Sequence, residues 1–208
     1  MLLYDTQSRI KYGLIKALEQ KPLYDLKDLD VIKNAEVANA TFYKYYANKI
    51  VLLKDVEASL LAELKKALAE DLKVWYHPKH SLSKKDIARL VENGLNNTLD
   101  FFDKYHQELL VLTSNNGDPV LRHTLVDVVN QRLVRILKYY FNIYEQEGML
   151  AKKPKLFDYV AYRWSNEIID DLLYWIINRS KMTFDDAKQC LSMSFTQSVY
   201  EIVTHGFN

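Results

Sequence analysis

His77 and His80 stand three residues apart around Pro78, a spacing at which two imidazole nitrogens can share a transition metal. A closed site needs further Cys or carboxylate ligands at matching spacing. None follows, so the pair reads as a solvated loop. Asp103 and His106 repeat the carboxylate-x-x-His spacing of helical di-iron bundles, but that architecture needs the motif twice with additional glutamates, and the chain carries it once. There is no Gly-rich phosphate loop, no Gly-x-Ser-x-Gly turn and no Cys-x-x-Cys. Neither catalysis nor a metal or cofactor is expected.

A different chemistry is offered by residues 39–45, Asn-Ala-Thr-Phe-Tyr-Lys-Tyr. On a 3.6-residue period Phe42 and Tyr46 share one face, which sends Ala40 and Lys44 to the opposite one with Thr41 and Tyr43 on the flanks. Such a face can meet a duplex groove. Between Ala38 and Lys49 there are two positive charges and no negative one. Lys49 opens the following helix, where free N–H groups and the helix dipole favour a phosphate.

Long helices must position these residues, because 208 residues hold only five glycines and four prolines. Nine helices and no strand are expected. The first lies behind Thr6 and Ser8 as caps and stops before Lys21-Pro22. A segment over 26–35 places Leu29, Ile32 and Ala35 on one stripe; a second over 39–45 follows after the three-residue turn Glu36-Val37-Ala38. Further helices are expected over 49–74, over 83–104 behind a Ser83/Asp86 capping box, and over 105–114. Asp118-Pro119 then opens a helix running unbroken to Gly148. The last two cover 157–179, preceded by Pro154, and 183–204, behind Thr183/Asp186. Two short helices joined by a tight turn have the geometry that presents the second to a major groove.

These residues carry a resemblance. Lys21-Pro22-Leu23-Tyr24-Asp25-Leu26, Val31-Ile32, Ala35-Glu36-Val37, Thr41-Phe42-Tyr43, Tyr45-Tyr46 and the run from Lys49 to Leu53 resemble the DNA-binding head of TetR/AcrR transcriptional regulators of the low-GC Gram-positive type, over about residues 8–56. The resemblance implies an all-α chain: a three-helix head with a helix-turn-helix over 1–48, and a six-helix body for ligand binding and dimerisation over 49–208. It implies that Tyr43, Tyr45 and Lys49 touch phosphates, that Lys27 keeps a phosphate partner, and that Asn39, Ala40, Thr41 and Lys44 lie nearest the bases. Glu36 stands where the family has a turn glycine and Ala38 where it has a Ser or Thr cap. The implied function is a homodimeric repressor of a palindromic double-stranded operator, relieved by a small-molecule effector. The alternative is a co-regulator of the same fold with weak or partner-dependent DNA binding, which Glu36 and Ala38 favour.

In the body, residues 172–177 are apolar on every side of a helix, and Val160, Ala161, Trp164, Ile168 and Leu172 form a stripe before them. The final helix carries Ala187, Cys190, Leu191, Ser194, Ser198 and Ile202, with small residues that admit a close neighbour. Helices near 157–179 and 184–204 are therefore the expected homodimer surface. Large residues with polar tips offer an effector cavity, in which Phe102, Tyr105, Tyr140 and Trp164 are the candidate lining and Arg122 the polar anchor.

Composition narrows the setting. With Lys+Arg 28 against Asp+Glu 27 the net charge is +1, so no global field draws the chain to nucleic acid or anionic lipid, and any such binding rests on a local patch. The one cysteine forms no internal disulfide, and the first residues lack an export signal. A cytoplasmic location without membrane contact is expected.

Overall fold

The structure, a computed structural model, describes residues 5–77, 79, 82–145 and 147–196. All regular elements among them are helices: α1 (Thr6–Gln20), α2 (Asp28–Ala35), α3 (Asn39–Tyr45), α4 (Lys49–Trp75), α5 (Lys84–Gly94), α6 (Asn96–Lys104), α7 (His106–Leu112), α8 (Pro119–Ile143), α9 (Glu147–Lys152), α10 (Pro154–Ile177) and α11 (Phe184–Thr196). The protein is all-α, and no described helix is long and apolar enough to cross a membrane. His80, and the part of the last expected helix that holds Ser198 and Ile202, lie outside the described residues.

Eleven helices among the described residues replace the expected nine, and each extra break has an identifiable cause. The helix expected over 83–104 stops at Gly94 and restarts at Asn96. There the Asp71 carboxylate, buried on α4, accepts from the Asn97 amide (3.0 Å), the Asn97 side chain (2.8 Å), the Thr98 amide (2.8 Å) and the Thr98 hydroxyl (2.6 Å). It caps α6 from 26 residues away. The helix expected to run to Gly148 ends at Ile143. Glu145 turns left-handed (φ 54°) and its N–H reaches the Asn142 carbonyl at 2.9 Å, closing the helix with α9 following. The aromatic and β-branched run before it propagates a helix poorly.

The chain divides into two compact units, Met1–Glu63 with Tyr105–His123, and Leu64–Lys104 with Thr124–Asn208. In the first, α1 is capped by Asp5 rather than by Thr6 or Ser8: its carboxylate accepts the Ser8 amide at 2.9 Å, and that bond holds the carboxyl below its usual pKa. Ile10, Leu14, Ala17 and Leu18 of α1 and Val31, Ile32 and Ala35 of α2 are all buried, and the two helices pack together. Contact is close because Gly13 meets Ala35: a Cβ on Gly13 would lie 2.6 Å from that of Ala35. Leu29, expected on the buried stripe, is exposed instead, since α2 buries Val31, Ile32 and Ala35 together and carries Leu29 round to the far side.

Helix α2 closes with the Glu36 amide on the Lys33 carbonyl (3.2 Å) and the Val37 amide on the Ile32 carbonyl (3.4 Å), which requires Glu36 to be left-handed at φ 52°. The Arg9 guanidinium donates to the carbonyls of Ala35 (3.2 Å) and Glu36 (2.7 Å) and ties the turn to α1. Segment 105–123 is latched to the same unit by Asn116, whose side chain donates to the Leu18 carbonyl (3.0 Å) while its own carbonyl accepts the Leu23 amide (2.8 Å).

In the second unit α5 packs on α11, and α10 packs on α6, α9 and α11. The caps expected from sequence are present. Asp86 and Asp186 accept the amides of Ser83 (3.1 Å) and Thr183 (2.7 Å), and the two hydroxyls accept in return. Pro154 is the first residue of α10 rather than its forerunner, as suits a ring with no N–H to lose.

Candidate nucleic-acid interface and apolar chambers

Helix α3 is seven residues long, too short to hold itself together in water, and its place depends on Phe42. That ring is fully buried, edge-on to Tyr43 (5.2 Å) and near Tyr46 (6.3 Å). Its burial contributes about 2–3 kcal/mol. The Tyr46 hydroxyl donates to Asp55 (2.7 Å) and accepts from Gln7 (2.9 Å), while Lys11 pairs with Asp55 (2.8 Å), so α1, α3 and α4 are bolted at one point. Burial and the adjacent carboxylate push the Tyr46 phenol up to about 12.

With Phe42 and Tyr46 inward, Asn39, Ala40, Tyr43, Lys44 and Tyr45 are exposed and Thr41 is half-buried. The Lys44 ammonium lies 5.9 Å from the Tyr45 ring centre, leaving a cation and two phenols on one ridge. Lys27, at the entry to α2, is exposed as well. It cannot complete a capping box, because an ammonium has no lone pair; only the return bond forms, from the Lys27 amide to Asp30 (2.8 Å).

Lys49 is differently engaged. Its amide donates to Asp28 Oδ1 at 2.8 Å, and its ammonium donates to the carbonyls of Leu23, at 2.8 Å, and Leu26. The next two amides of α4, those of Ile50 and Val51, are taken by Asn48 Oδ1 at 2.9 and 3.0 Å. The helix start expected to face a phosphate is thus satisfied within the protein. Asp28 Oδ2 also lies 3.4 Å from the Tyr43 hydroxyl, which puts a carboxylate beside the ridge. Asn48 is legible in the sequence as a cap before Lys49; Asp28, 21 residues away, carries no local signal.

In the same unit the buried carboxylates of Glu57 and Asp118 meet the exposed Lys54. The Lys54 ammonium bridges Glu57 (2.8 Å) and Asp118 (2.9 Å), and Asp118 accepts the Val120 amide (2.9 Å) to start α8, as its place before Pro119 predicts. Burial pushes the Glu57 carboxyl up, whereas the Val120 amide and Lys54 hold Asp118 below its usual range despite its own burial.

The five candidate effector residues are not gathered at one place. Tyr105 and Arg122 belong to the first unit and line separate surface recesses, one with Ser8, Lys11 and Tyr12, the other with Leu23, Tyr24 and Lys49. Phe102, in the second unit, is fully buried edge-on to Phe101 at 5.4 Å. Tyr140 and Trp164 do meet. They line a cavity of about 170 Å³ with Trp75, Ile87, Leu90, Leu133, Ile136 and Leu137. A second chamber of about 130 Å³ lies against Phe141, Leu150, Phe157 and Val160, and it shares the side chains of Leu137 and Trp164 with the first.

Polar groups around the first chamber are already engaged. Tyr140 donates to the Trp75 carbonyl (2.8 Å), the Trp75 indole donates to the Gly94 carbonyl (2.8 Å), and the Tyr144 hydroxyl accepts the Leu82 amide (2.8 Å) and donates to its carbonyl. Burial pushes the Tyr140 phenol up to about 12. The chambers offer an apolar wall and no unsatisfied donor from these three side chains. Lys153, where the second chamber opens, has no counterpart in the sequence-based site.

On α10, Leu156, Tyr159, Tyr174 and Ile177 are exposed, while Ala161, Ile168, Leu172 and Ile176 are buried. Cys190 and Ser194 of α11 are partly buried, and Ser194 donates to Asp171 at 2.6 Å. Among the described residues no group of three or more His, Cys, Asp or Glu is placed to hold a metal ion. No family model matches this chain, and no curated protein matches it significantly.

Proposed function

We propose that this chain is a homodimeric, DNA-binding transcriptional regulator of the TetR type, a repressor of a palindromic operator whose grip on DNA is changed by a small molecule held in the second unit. In this reading α1–α3, within residues 1–48, form the DNA-binding head, α2 and α3 are its helix-turn-helix, and residues 49–208 are the body. The observation that carries it is the ridge of α3: Phe42 pins the helix inward and leaves Asn39, Ala40, Tyr43, Lys44 and Tyr45 exposed in one short rod. A rod of that size, held by a scaffold and free on its outer side, suits a major groove. Exposed Leu156, Tyr159, Tyr174 and Ile177 on α10 supply an apolar surface for a second copy, and a two-fold pair sets two rods against successive grooves.

The co-regulator reading has its own support. Asp28 and two carbonyls occupy Lys49, and exposed Tyr24 and Leu29 stand on the same unit as surface that a protein partner would cover. Selection of duplexes from a random pool by the purified protein, with Tyr43→Ala/Lys44→Ala as control, separates the two. Enrichment of a palindrome by the native chain, lost in the double variant with the dimer intact, is the result expected of the regulator. Only salt-sensitive, sequence-blind binding leaves the co-regulator reading; binding indifferent to the double variant removes α3 from either.

A further inference from the structure

The two apolar chambers of the second unit share a wall, and the chemistry of that wall and of its rim restricts what can enter. Leu137 and Trp164 line both chambers, so the two lie against the same pair of side chains, and a ligand that moves the Trp164 indole would extend from one into the other. An apolar cavity of ~150 Å³ holds a six-carbon ring. Chambers of about 170 and 130 Å³ therefore accept about twelve carbon atoms end to end.

Buried length and rim differ in character. The Tyr140 and Tyr144 hydroxyls and the Trp75 indole spend their hydrogen bonds on backbone groups, so a polar group placed deep in the bore loses its water without compensation. The second chamber opens beside Lys153, which is exposed between exposed Lys152 and exposed Lys155, and no acidic residue stands between Gly148 and Phe157. A lysine stem lies along apolar surface while its ammonium stays in water, so Lys153 brings a cation to the rim rather than the bore, with exposed Lys152 and Lys155 one and two residues away in the chain.

We propose that the joined chambers bind a single-chain anionic amphiphile, a fatty carboxylate of about twelve carbons, with its tail displacing the Trp164 indole and its carboxylate among Lys152, Lys153 and Lys155. This deepens the ligand half of the function proposed above and rests on it for regulatory meaning. Binding itself is measured without DNA, so failure here leaves the α3 ridge untouched, and absence of operator binding leaves the chambers untouched.

The test is titration of the full chain with dodecanoate and with dodecanol, both below their aggregation concentrations, followed by calorimetry and tryptophan fluorescence. Expected are one saturable site per protomer and a change in emission that shrinks in Trp164→Phe, Trp75 of the first chamber supplying the remainder. Lys152→Gln/Lys153→Gln/Lys155→Gln should weaken dodecanoate about tenfold and leave dodecanol within twofold. Val160→Trp, which fills the second chamber, should weaken both at least tenfold. The surface triple variant carries the test should Val160→Trp fail to fold. No saturable site, a stoichiometry of several molecules per protomer, or equal losses for acid and alcohol in the triple variant would overturn the proposal.

Discussion

The carboxylate of Asp28 is the group whose removal most directly tests the assignment of the α3 ridge. It lies 2.8 Å from the Lys49 amide and 3.4 Å from the Tyr43 hydroxyl, beside the surface that the proposed function turns toward phosphates. Asp28→Asn keeps an oxygen acceptor for the amide while removing the negative charge. A charge ~8 Å from a phosphate costs about 0.5–2 kcal/mol for effective dielectrics between water and a protein surface. Screening at 0.1 M salt, with a Debye length of about 10 Å, cuts that to a little under half. Over a dimer this is ~0.5–1.8 kcal/mol, an affinity gain of about two- to twentyfold. The assay is fluorescence anisotropy with a labelled duplex at 50, 100 and 200 mM KCl, the gain being largest at the lowest salt. Loss of capping should cost under about 1 kcal/mol, which a thermal melt reports. Affinity that stays level or falls while the melt is unchanged would mean that DNA does not approach this face.

Three further outcomes concern the scaffold. Burial raises the Glu57 pKa against the pull of Lys54, with Asp118 facing it, so the folded state holds this proton more tightly than the unfolded chain. Its contribution to stability is therefore greatest at low pH and is lost as pH rises from the unfolded value of 4.5 through the folded one. Glu57→Gln should raise the unfolding midpoint in denaturant at pH 7 and leave it nearly unchanged near pH 4; an equal gain at both would show that the charge is irrelevant. Gly94→Ala places a Cβ 2.7 Å from the Trp75 indole nitrogen and should destabilise by about 1–3 kcal/mol, with a red shift in tryptophan emission as the indole loses its carbonyl partner. Asp71→Ala removes four hydrogen bonds at the start of α6 and should cost about 3 kcal/mol, or a Tm lower by about 6–12 °C; Asp71→Asn should recover part of it.

What the sequence made legible follows from the range over which its signals act. Caps that join a residue to its own next turn, Ser83 to Asp86, Thr183 to Asp186 and Asp118 to Val120, are where spacing predicts, and so are the bounds of α3 and the start of α4. Each is decided within four residues, by a carboxylate or hydroxyl meeting an amide that the helix leaves bare. The break at Leu95 is decided instead by Asp71, and no pattern in 83–104 announces a carboxylate delivered by another helix. Lys49 shows the same limit at the candidate interface. Its type and place promise a phosphate contact, yet Asp28, Leu23 and Leu26 claim both its nitrogens across more than twenty residues. The effector candidates divide for the same reason: aromatic side chains with polar tips look alike in a sequence, and only packing separates Tyr140 and Trp164 at a chamber from Phe102 in the core and Tyr105 in the other unit. Under the proposed function, Asp28 and the satisfied start of α4 bear on DNA affinity alongside the residues of α3 that the sequence advertises, which is what the Asp28→Asn titration measures.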